Sequence, residues 1–345
     1  MANQNHPGPT EKTFADAQAA LDPILANAKF LGLLRGALNC GIFKVTTKPS
    51  TPDQISSALN LPEDLVIDLC YALDAHGVFQ FENGRYCLED HWAILTNPDS
   101  HRPLGGILDF NLVESRVLEH IGSLEDDYWE ATPFDRLALA KGATIDPTSS
   151  RSPGILRSNL QKRLPEIHEV LEAGGHCLEL GCGMGGGLLT LVRAYPKMTA
   201  VGIDLAADLL QEAQQTAVNF DLCDRITFHQ GDASTFEVQQ VFDVVRWSQF
   251  YFPMESRAGS LQVAFRALKS GGFLTAPLRI DASVLETNLH SEQGKKYTLG
   301  RAYLRSWGVP ALSTQEVQEE MEKAGFISPL PIETGHNHTM RARHP

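Results

Sequence analysis

A glycine-rich turn is the part of this sequence whose residue types point most directly to chemistry. The segment Glu179-Leu-Gly-Cys-Gly-Met-Gly185 follows a short apolar run, His176 to Leu180, that predicts a β-strand. Glycines at a strand end let the backbone take positive φ and let a ligand approach closely. Gly181, Gly183 and Gly186 fit the G-x-G-x-x-G pattern, which dinucleotide sites also carry. The turn alone therefore predicts a ligand site and leaves the ligand open.

Three carboxylates near predicted strand ends bear on whether that ligand is a dinucleotide or S-adenosylmethionine (SAM). Glu179 lies two residues before the first glycine, where it suits the ammonium of a methionine moiety and would repel a pyrophosphate. Asp204 closes the second predicted strand and could accept from both ribose hydroxyls of either ligand. Gly231-Asp232-Ala233 follows the third strand, where a carboxylate can accept from the exocyclic amine of adenine. Two of the three features thus favour SAM, and no Gly-Lys-Ser/Thr sequence follows the turn to make a P-loop.

Alternating strands and helices must bring these carboxylates together. The predicted strands are His176–Leu180, Thr199–Asp204, Arg225–Gln230, Phe242–Trp247 and Gly272–Ile280. The predicted helices between them are Leu188–Ala194, Ala206–Asn219 and Ser256–Leu268. This order predicts an α/β fold with a doubly wound, mostly parallel, Rossmann-like sheet, which binds ligands at the carboxyl ends of its strands. The tail around His336 and His338 is interpreted as a solvated terminus rather than a metal site.

The first part of the chain has a different pattern. Apolar periodicity predicts helices Phe14–Phe30, Leu31–Leu38 and Pro62–His76, a further helix from Pro52 capped by Thr51, and a hairpin around Asn83-Gly84. Gly41 is expected to end the second helix, and Leu65, Leu69, Ala72 and Leu73 are expected to form the apolar stripe of the helix after Pro62. Helix, helix and hairpin in this order predict a mainly α-helical winged-helix domain.

The charge of the chain argues against nucleic acid as its partner. The net charge is −13, and residues 1–150 hold 10 Lys and Arg against 21 Asp and Glu. The helix that would enter a DNA groove, Pro62–Asp74, carries four acids and no base, whereas base readout relies on Arg, Lys, Asn and Gln. We therefore expect this domain to serve in dimerisation and in covering the substrate.

Composition and the positions of turn-forming residues give the expected domain limits and cellular compartment. We predict a disordered lead-in at 1–12, the winged-helix domain at 13–150, and the sheet domain at 151–345, with a Ser/Thr/Pro/Gly-rich hinge at 142–153 and a helix at 156–172. Six cysteines without a C-x-x-C pair are typical of reduced thiols. No run approaches 18 apolar residues, so we expect a cytoplasmic protein without a membrane partner.

Residues 156–280 resemble the class I SAM-dependent methyltransferases. The whole chain is similar to the O-methyltransferase-like family, in which a winged-helix front domain builds the dimer and covers the substrate. The resemblance implies a homodimer, a small-molecule acceptor, SAM as donor with S-adenosylhomocysteine (SAH) as product, and no metal. It also implies that SAM contacts Glu179, Gly181, Gly183, Asp204, Asp232 and Ala233. Leu205, Gly231 and Arg246 complete the expected cofactor site.

The acceptor end departs from the family pattern. The O-methyltransferases use a His just after the fourth strand, and this position falls at Phe252 in Val245-Arg-Trp-Ser-Gln-Phe-Tyr-Phe-Pro253. The usual general base is therefore absent. The acceptor could have no proton to lose, as with a thioether, a tertiary amine or an activated carbon, or it could ionise unaided. A distant His could also serve, and the candidates are His120, His168 and His290.

A thioether acceptor needs alignment and a dry aromatic pocket rather than a base. The candidate aromatic side chains are Trp247, Phe250, Tyr251, Phe252, Tyr128 and Trp129, each of which could instead be core. The candidates to bind an acceptor carboxylate are Arg246, Arg151, Arg157 and Arg279. This combination is similar to the methylthiohydroxybutyrate S-methyltransferases of dimethylsulfoniopropionate synthesis. The alternatives are an O-, N- or C-methyltransferase, a non-methylating enzyme that retains SAM, and a winged-helix regulator.

Overall fold

The computed structural model describes residues 13–119, 131–278, 288–334 and 337–345. The chain forms two compact units, Met1–Thr96 and Asn97–Pro345. The expected lead-in at 1–12 lies outside the described residues, and the domain limit at residue 150 stays a prediction. None of the described helices is both long and apolar enough to cross a bilayer.

The first unit is helical with one hairpin. Its elements are α1 (Phe14–Cys40), α2 (Ile42–Val45), α3 (Pro52–Leu59), α4 (Glu63–Ala75), β1 (Phe79–Glu82), β2 (Arg85–Leu88) and α5 (Asp90–Thr96). Thr51 and Gln54 form the capping box that starts α3. Asn83 and Gly84 both have positive φ, as a two-residue hairpin turn requires. The order of helices and hairpin is thus as predicted.

Two details of this unit differ from the prediction. The two helices expected over 14–38 are one continuous helix, which passes through Pro23, Gly32 and Gly36 without a break. Gly41 ends that helix in the left-handed conformation, with φ of 83°, as expected. The buried face of α4 consists of Val66, Cys70 and Leu73, whereas Leu65 is 52% exposed. The predicted stripe was therefore rotated by about one residue.

The second unit is built on a seven-stranded sheet. Its strands are β3 (His176–Leu180), β4 (Thr199–Asp204), β5 (Ile226–Gln230), β6 (Phe242–Trp247), β7 (Leu268–Leu278), β8 (Ile327–Thr334) and β9 (Asn337–Arg343). The spatial order is β5-β4-β3-β6-β7-β9-β8. The strands from β3 to β7 pair in parallel, and β9 runs antiparallel to both of its neighbours. The predicted α/β class and mostly parallel sheet are confirmed.

Sequence reasoning missed the last two strands. His336 lies outside the described residues. For the described part of the tail the interpretation as a solvated terminus is wrong, because β9 lies between β7 and β8 and its Met340 and Ala342 are fully buried. Arg341 and Arg343 lie over the ring of Phe273. Long basic side chains can cover apolar surface in this way while their charged ends stay near water.

Some helices of this unit pack on the two faces of the sheet, and others lie beside it. They are α6 (Leu104–Glu119), α7 (Pro133–Ala143), α8 (Ser152–Arg163), α9 (Pro165–Glu172), α10 (Gly186–Ala194), α11 (Ala207–Asn219), α12 (Met254–Ala267), α13 (Glu292–Ser306) and α14 (Thr314–Lys323). The helix expected over 156–172 is split in two at Pro165, which cannot continue the hydrogen-bond ladder of α8. Because side chains alternate along a strand, Leu178 and Trp247 enter the core under α12 and α14, whereas Cys177 packs with α10.

A third apolar cluster lies apart from these two cores. It joins α6, α7 and α13 through Val113, Ala138, Leu139, Tyr303, Leu304, Trp307 and Val309, with Phe110 and Phe250 packed against it. Phe250 belongs to the turn that follows β6, so this cluster reaches the carboxyl edge of the sheet. We call it the acceptor-side cluster, because we propose that the acceptor binds beside it.

Candidate active site

Strand register sets Glu179 beside Arg246. The two residues are direct partners in the parallel pair of β3 and β6. These strands form the point of the sheet where the chain order reverses, and ligands of such sheets bind outside the carboxyl ends there. Side chains alternate along strands, so both project to the face that α10 covers, and Arg246 Nη2 lies only 2.7 Å from where a Cβ on Gly187 would stand. A carboxylate and a guanidinium therefore meet at the start of α10.

The Glu179 carboxylate is only half satisfied. Its Oε1 lies 3.3 Å from Arg246 Nε and accepts from Ser248 Oγ at 3.5 Å. Its Oε2 is buried and meets no donor among the described residues. Burial raises the pKa of this carboxyl, and the Arg246 charge opposes that effect. Since a buried polar atom without a partner costs free energy, the arrangement fits a ligand that brings a cationic donor to Oε2.

The glycine turn gives a ligand close access to the backbone. Gly181, Gly183 and Gly185 have φ of 71°, 53° and 70°, a conformation that other residues adopt only at a cost. A Cβ on Gly181 would lie 2.9 Å from the ring of Phe252. Glycine is therefore required here by backbone conformation and, at Gly181, also by the neighbouring ring.

Asp204 holds the glycine turn against the start of α11. Its Oδ2 accepts from Gly183 N at 2.7 Å, and its Oδ1 accepts from Ala206 N at 2.9 Å. Burial raises the pKa of this carboxyl, and the backbone hydrogen bonds oppose the rise. Each oxygen keeps a second lone-pair direction for a ligand. The predicted contact with ribose stays a prediction, beside this observed structural role.

The third strand end lies next along the same edge. Gly231 N donates to Asp204 O at 3.0 Å, which ties the loop after β5 to the end of β4. Asp232 is exposed and its Oδ1 accepts from Ser234 N, while Ala233 is buried and Leu205 is exposed. The structure therefore brings all the expected cofactor residues to one edge. Nowhere in the described ranges do three or more His, Cys, Asp and Glu side chains group so as to hold a metal ion.

The turn after β6 divides the predicted acceptor residues. Trp247 is fully buried in the sheet core with Arg257 4.7 Å from its ring centre, which fits the core alternative. Phe252 packs on Trp247 and lies beside Gly181. Tyr251 is partly exposed, and Phe250 reaches the acceptor-side cluster.

Two predicted residues lie near the carboxyl end of α10, whereas the glycine turn precedes its amino end. Arg157 donates to Ala194 O at 3.0 Å and pairs with Glu172, and His168 Nδ1 lies 2.8 Å from the hydroxyl of Tyr195. Ala194 is the last of nine residues in α10, so this end is about 13 Å from the glycine turn. The placement argues against Arg157 as an acceptor ligand and His168 as a base.

The remaining predicted residues are exposed or lie outside the described part of the chain. Arg151 is exposed and lies 3.8 Å from Asp99, and His290 is exposed. Four candidates lie outside the described residues, namely His120, Tyr128, Trp129 and Arg279.

A buried polar network behind the turn was missed from the sequence. Gln249 donates to Pro277 O at 2.6 Å and accepts from Arg257 Nη2 at 2.8 Å. Arg257, almost fully buried, also donates to Gln249 O at 3.0 Å and pairs with Glu320 at 2.7 Å. The network fixes the backbone of the turn after β6. Nothing in the sequence links Arg257 to Glu320, which follows it by 63 positions.

The aromatic side chains of the acceptor-side cluster were also missed. Tyr303 and Trp307 lie four residues apart on α13 with ring centres 4.4 Å apart, and Phe110 is 6.3 Å from Tyr303. The spacing of four residues, which places side chains on one helix face, was a usable signal.

Comparison with known proteins agrees with this geometry. Residues 177–272 match the family model described as a methyltransferase domain. A sterol 4-C-methyltransferase of Caenorhabditis elegans is 28% identical over 175 residues, which are 48% of this chain and 50% of that protein. The matched stretches span half or less of the length of the curated relatives.

Solved structures resemble the chain over nearly its whole length. Human N-acetylserotonin methyltransferase, solved in complex with SAM, has a TM-score of 0.69 at 14% identity and covers 98% of this chain and 99% of its own. An O-methyltransferase family protein from Burkholderia thailandensis has a TM-score of 0.68 at 17% identity and covers 97% and 99%. The chain has the fold of these O-methyltransferases. The prediction of a SAM-dependent methyltransferase is confirmed, since residues 177–272 match a methyltransferase domain and the chain has the fold of a methyltransferase solved with SAM.

Proposed function

We propose that the chain transfers the methyl group of SAM to the sulfur of a small, carboxylate-bearing thioether such as methylthiohydroxybutyrate, without a His base. The observation that carries the donor assignment is the buried, unpartnered Oε2 of Glu179 beside Arg246. The observation that carries the acceptor assignment is the turn Ser248–Pro253, which contains no His.

Glu179 and Arg246 are suited to bind the amino acid group of SAM. The methionine part of SAM carries one ammonium and one carboxylate, and Glu179 and Arg246 offer the opposite charges on one face of the sheet. Arg246 lies against Gly187 at the start of α10, where the helix dipole also favours an anion. This placement supports Arg246 as a ligand of the SAM carboxylate. Asp204 and Asp232 would then hold ribose and adenine.

Methylation of a thioether needs no proton acceptor. SAM supplies an electrophilic methyl carbon, to which the acceptor sulfur bonds as the bond to the donor sulfur breaks with its electron pair. The positive charge passes to the new sulfonium, and no proton leaves the acceptor. The protein then contributes alignment and exclusion of water, which the fixed turn held by Arg257 and the apolar acceptor-side cluster supply.

The aromatic rings support a cationic product. Tyr303 and Trp307 are buried, Phe110 packs against Tyr303, and Phe250 links this aromatic group to the turn after β6. The faces of such rings attract cations, including sulfonium. The acceptor carboxylate needs a further cation once Arg246 serves SAM, and Arg151 and Arg279 remain the proposed candidates.

The wider assignments are proposals as well. We propose a winged-helix role for the first unit, with a homodimer formed through it, in the cytoplasm. The exposed apolar side chains of α1, of which Phe14 is 84% exposed and Ile24 64%, support a protein contact there.

Methyl transfer from labelled SAM tests the proposal. We expect a labelled sulfonium product from 4-methylthio-2-hydroxybutyrate and none from its 4-methoxy analogue, which has an ether oxygen in place of sulfur. Mass spectrometry of the product and of SAH gives the result. Label on carbon or nitrogen of another acceptor would support the second candidate, because curated relatives include a C- and an N-methyltransferase. Turnover of an acceptor without SAH would show a non-methylating enzyme.

A further inference from the structure

An ion pair between Arg136 and Asp208 joins α7 to α11. Arg136 lies near the start of α7, and Asp208 lies in the first turn of α11. Arg136 Nη2 and Nε lie 2.9 and 3.1 Å from Asp208 Oδ2. The two side chains are only 13% and 27% exposed, so the solvent screens their attraction only in part.

Asp208 is connected to the cofactor end of the site. Asp204 binds Ala206 N, directly before α11, through one oxygen and Gly183 N through the other. One carboxylate thus holds both the glycine turn and the start of α11. A ligand that fixes Asp204 also fixes the position of Asp208.

Arg136 is connected to the acceptor end. Ala138 and Leu139, on the same helix, belong to the acceptor-side cluster. Gly142 near the end of α7 is packed so closely on Phe110 that a Cβ would lie 2.2 Å from that side chain. Packed interiors transmit such constraints because they contain little free space, so α7 cannot shift without moving the aromatic group.

We propose that Arg136 and Asp208 are a positioning pair through which an occupied cofactor site holds α7, and with it the acceptor-side cluster, in place. The inference rests on the proposed function, because it needs SAM or SAH at the glycine turn. Such coupling is reciprocal, so a bound acceptor must also strengthen cofactor binding.

Hydrogen exchange measured by mass spectrometry on the full chain, with and without SAH, tests this pair. In the wild type we expect SAH to slow exchange of the α7 amides by about five-fold or more. In Arg136→Met and Asp208→Asn the SAH effect on α7 should fall below about two-fold, whereas Arg136→Lys should keep most of it. Asp135→Asn is the matched control, because Asp135 also lies on α7 but pairs with Arg116 of α6. It should keep the full effect.

Calorimetry of SAH binding separates the possible failures. If the wild type does not bind SAH, the cofactor assignment fails and the coupling fails with it. If SAH binds but Arg136→Met and Asp208→Asn keep the wild-type protection ratio, the pair is merely structural and the coupling alone is refuted. The coupling would also be refuted if the α7 amides of these two variants exchanged faster than in the wild type by the same factor with and without SAH.

Discussion

Glu179→Gln tests the donor site most directly. The substitution keeps the size of the side chain and removes the charge that Oε2 offers to an ammonium. A hydrogen bond to a charged group contributes about 1.5–3 kcal/mol, so SAH should bind about 10- to 150-fold more weakly. The folded protein should stay intact without ligand, because the change also removes a buried charge whose desolvation raises the pKa of Glu179.

A ligand without the amino acid group provides the control. 5′-Methylthioadenosine has the ribose and adenine of SAH and lacks its ammonium and carboxylate. Its affinity, measured by the same calorimetry, should be equal in wild type and Glu179→Gln. Equal losses for both ligands would mean that the site is distorted, and an unchanged SAH affinity would mean that Glu179 does not meet the ammonium. Either result refutes the reasoning.

The pH dependence of SAH binding gives a second readout of Glu179. Since burial places its pKa above the usual 4.5, the carboxyl of the free protein becomes protonated as the pH falls through that raised value. The ammonium favours the ionised form, so SAH affinity should fall as the pH falls through this window. The raised pKa also means that Glu179 favours folding of the ligand-free protein at low pH, a contribution lost as the pH rises through the raised value. Glu179→Gln should show neither effect.

Three further substitutions test the site and its support. Gly181→Ala places a Cβ at φ of 71° and 2.9 Å from Phe252, so it should lower the free energy of unfolding by about 1–3 kcal/mol and abolish SAH binding; normal binding in calorimetry would contradict the role of the turn. Arg257→Met removes the cation that pairs with Glu320 and should destabilise the protein by about 3–5 kcal/mol in urea unfolding; a loss below 1 kcal/mol would show that the network contributes little. His168→Ala should leave the methyl-transfer rate and its profile around pH 6–7 nearly unchanged, because His168 contacts Tyr195 at the far end of α10; a thousand-fold loss would identify it as a base.

The donor site could be predicted from the sequence because its parts are local. β3, β4 and β6 begin and end at the predicted residues, and in a parallel sheet consecutive strand ends come to one edge. Glu179 and Asp204 lie at the carboxyl ends of β3 and β4, and the glycines directly follow β3, so pattern alone places them. The pairing of Glu179 with Arg246 was not predicted, since the register between residues 67 positions apart is set only by strand pairing in three dimensions.

The acceptor side could not be predicted, because its contacts join distant segments. Phe110, Leu139, Tyr303 and Phe250 come from four elements that meet only in the folded protein. Trp247 shows the limit of residue type as a guide. An aromatic residue at the end of β6 looked suited to an acceptor, but strand alternation turns Trp247 into the core and Arg246 to the face that α10 covers.

The same asymmetry separates the proposed donor side of the site from its proposed acceptor side. The donor residues lie on strand ends whose positions the sheet fixes, so the turn around Gly181 and Asp204 is hard to alter without loss of folding. The acceptor-side cluster comes from α6, α7 and α13, outside the two cores of the sheet. Side chains there can change size and polarity while the sheet keeps its packing. We therefore expect that cluster and the turn Ser248–Pro253 to determine which acceptor the protein takes. The turn contains no His that could remove a proton from the acceptor.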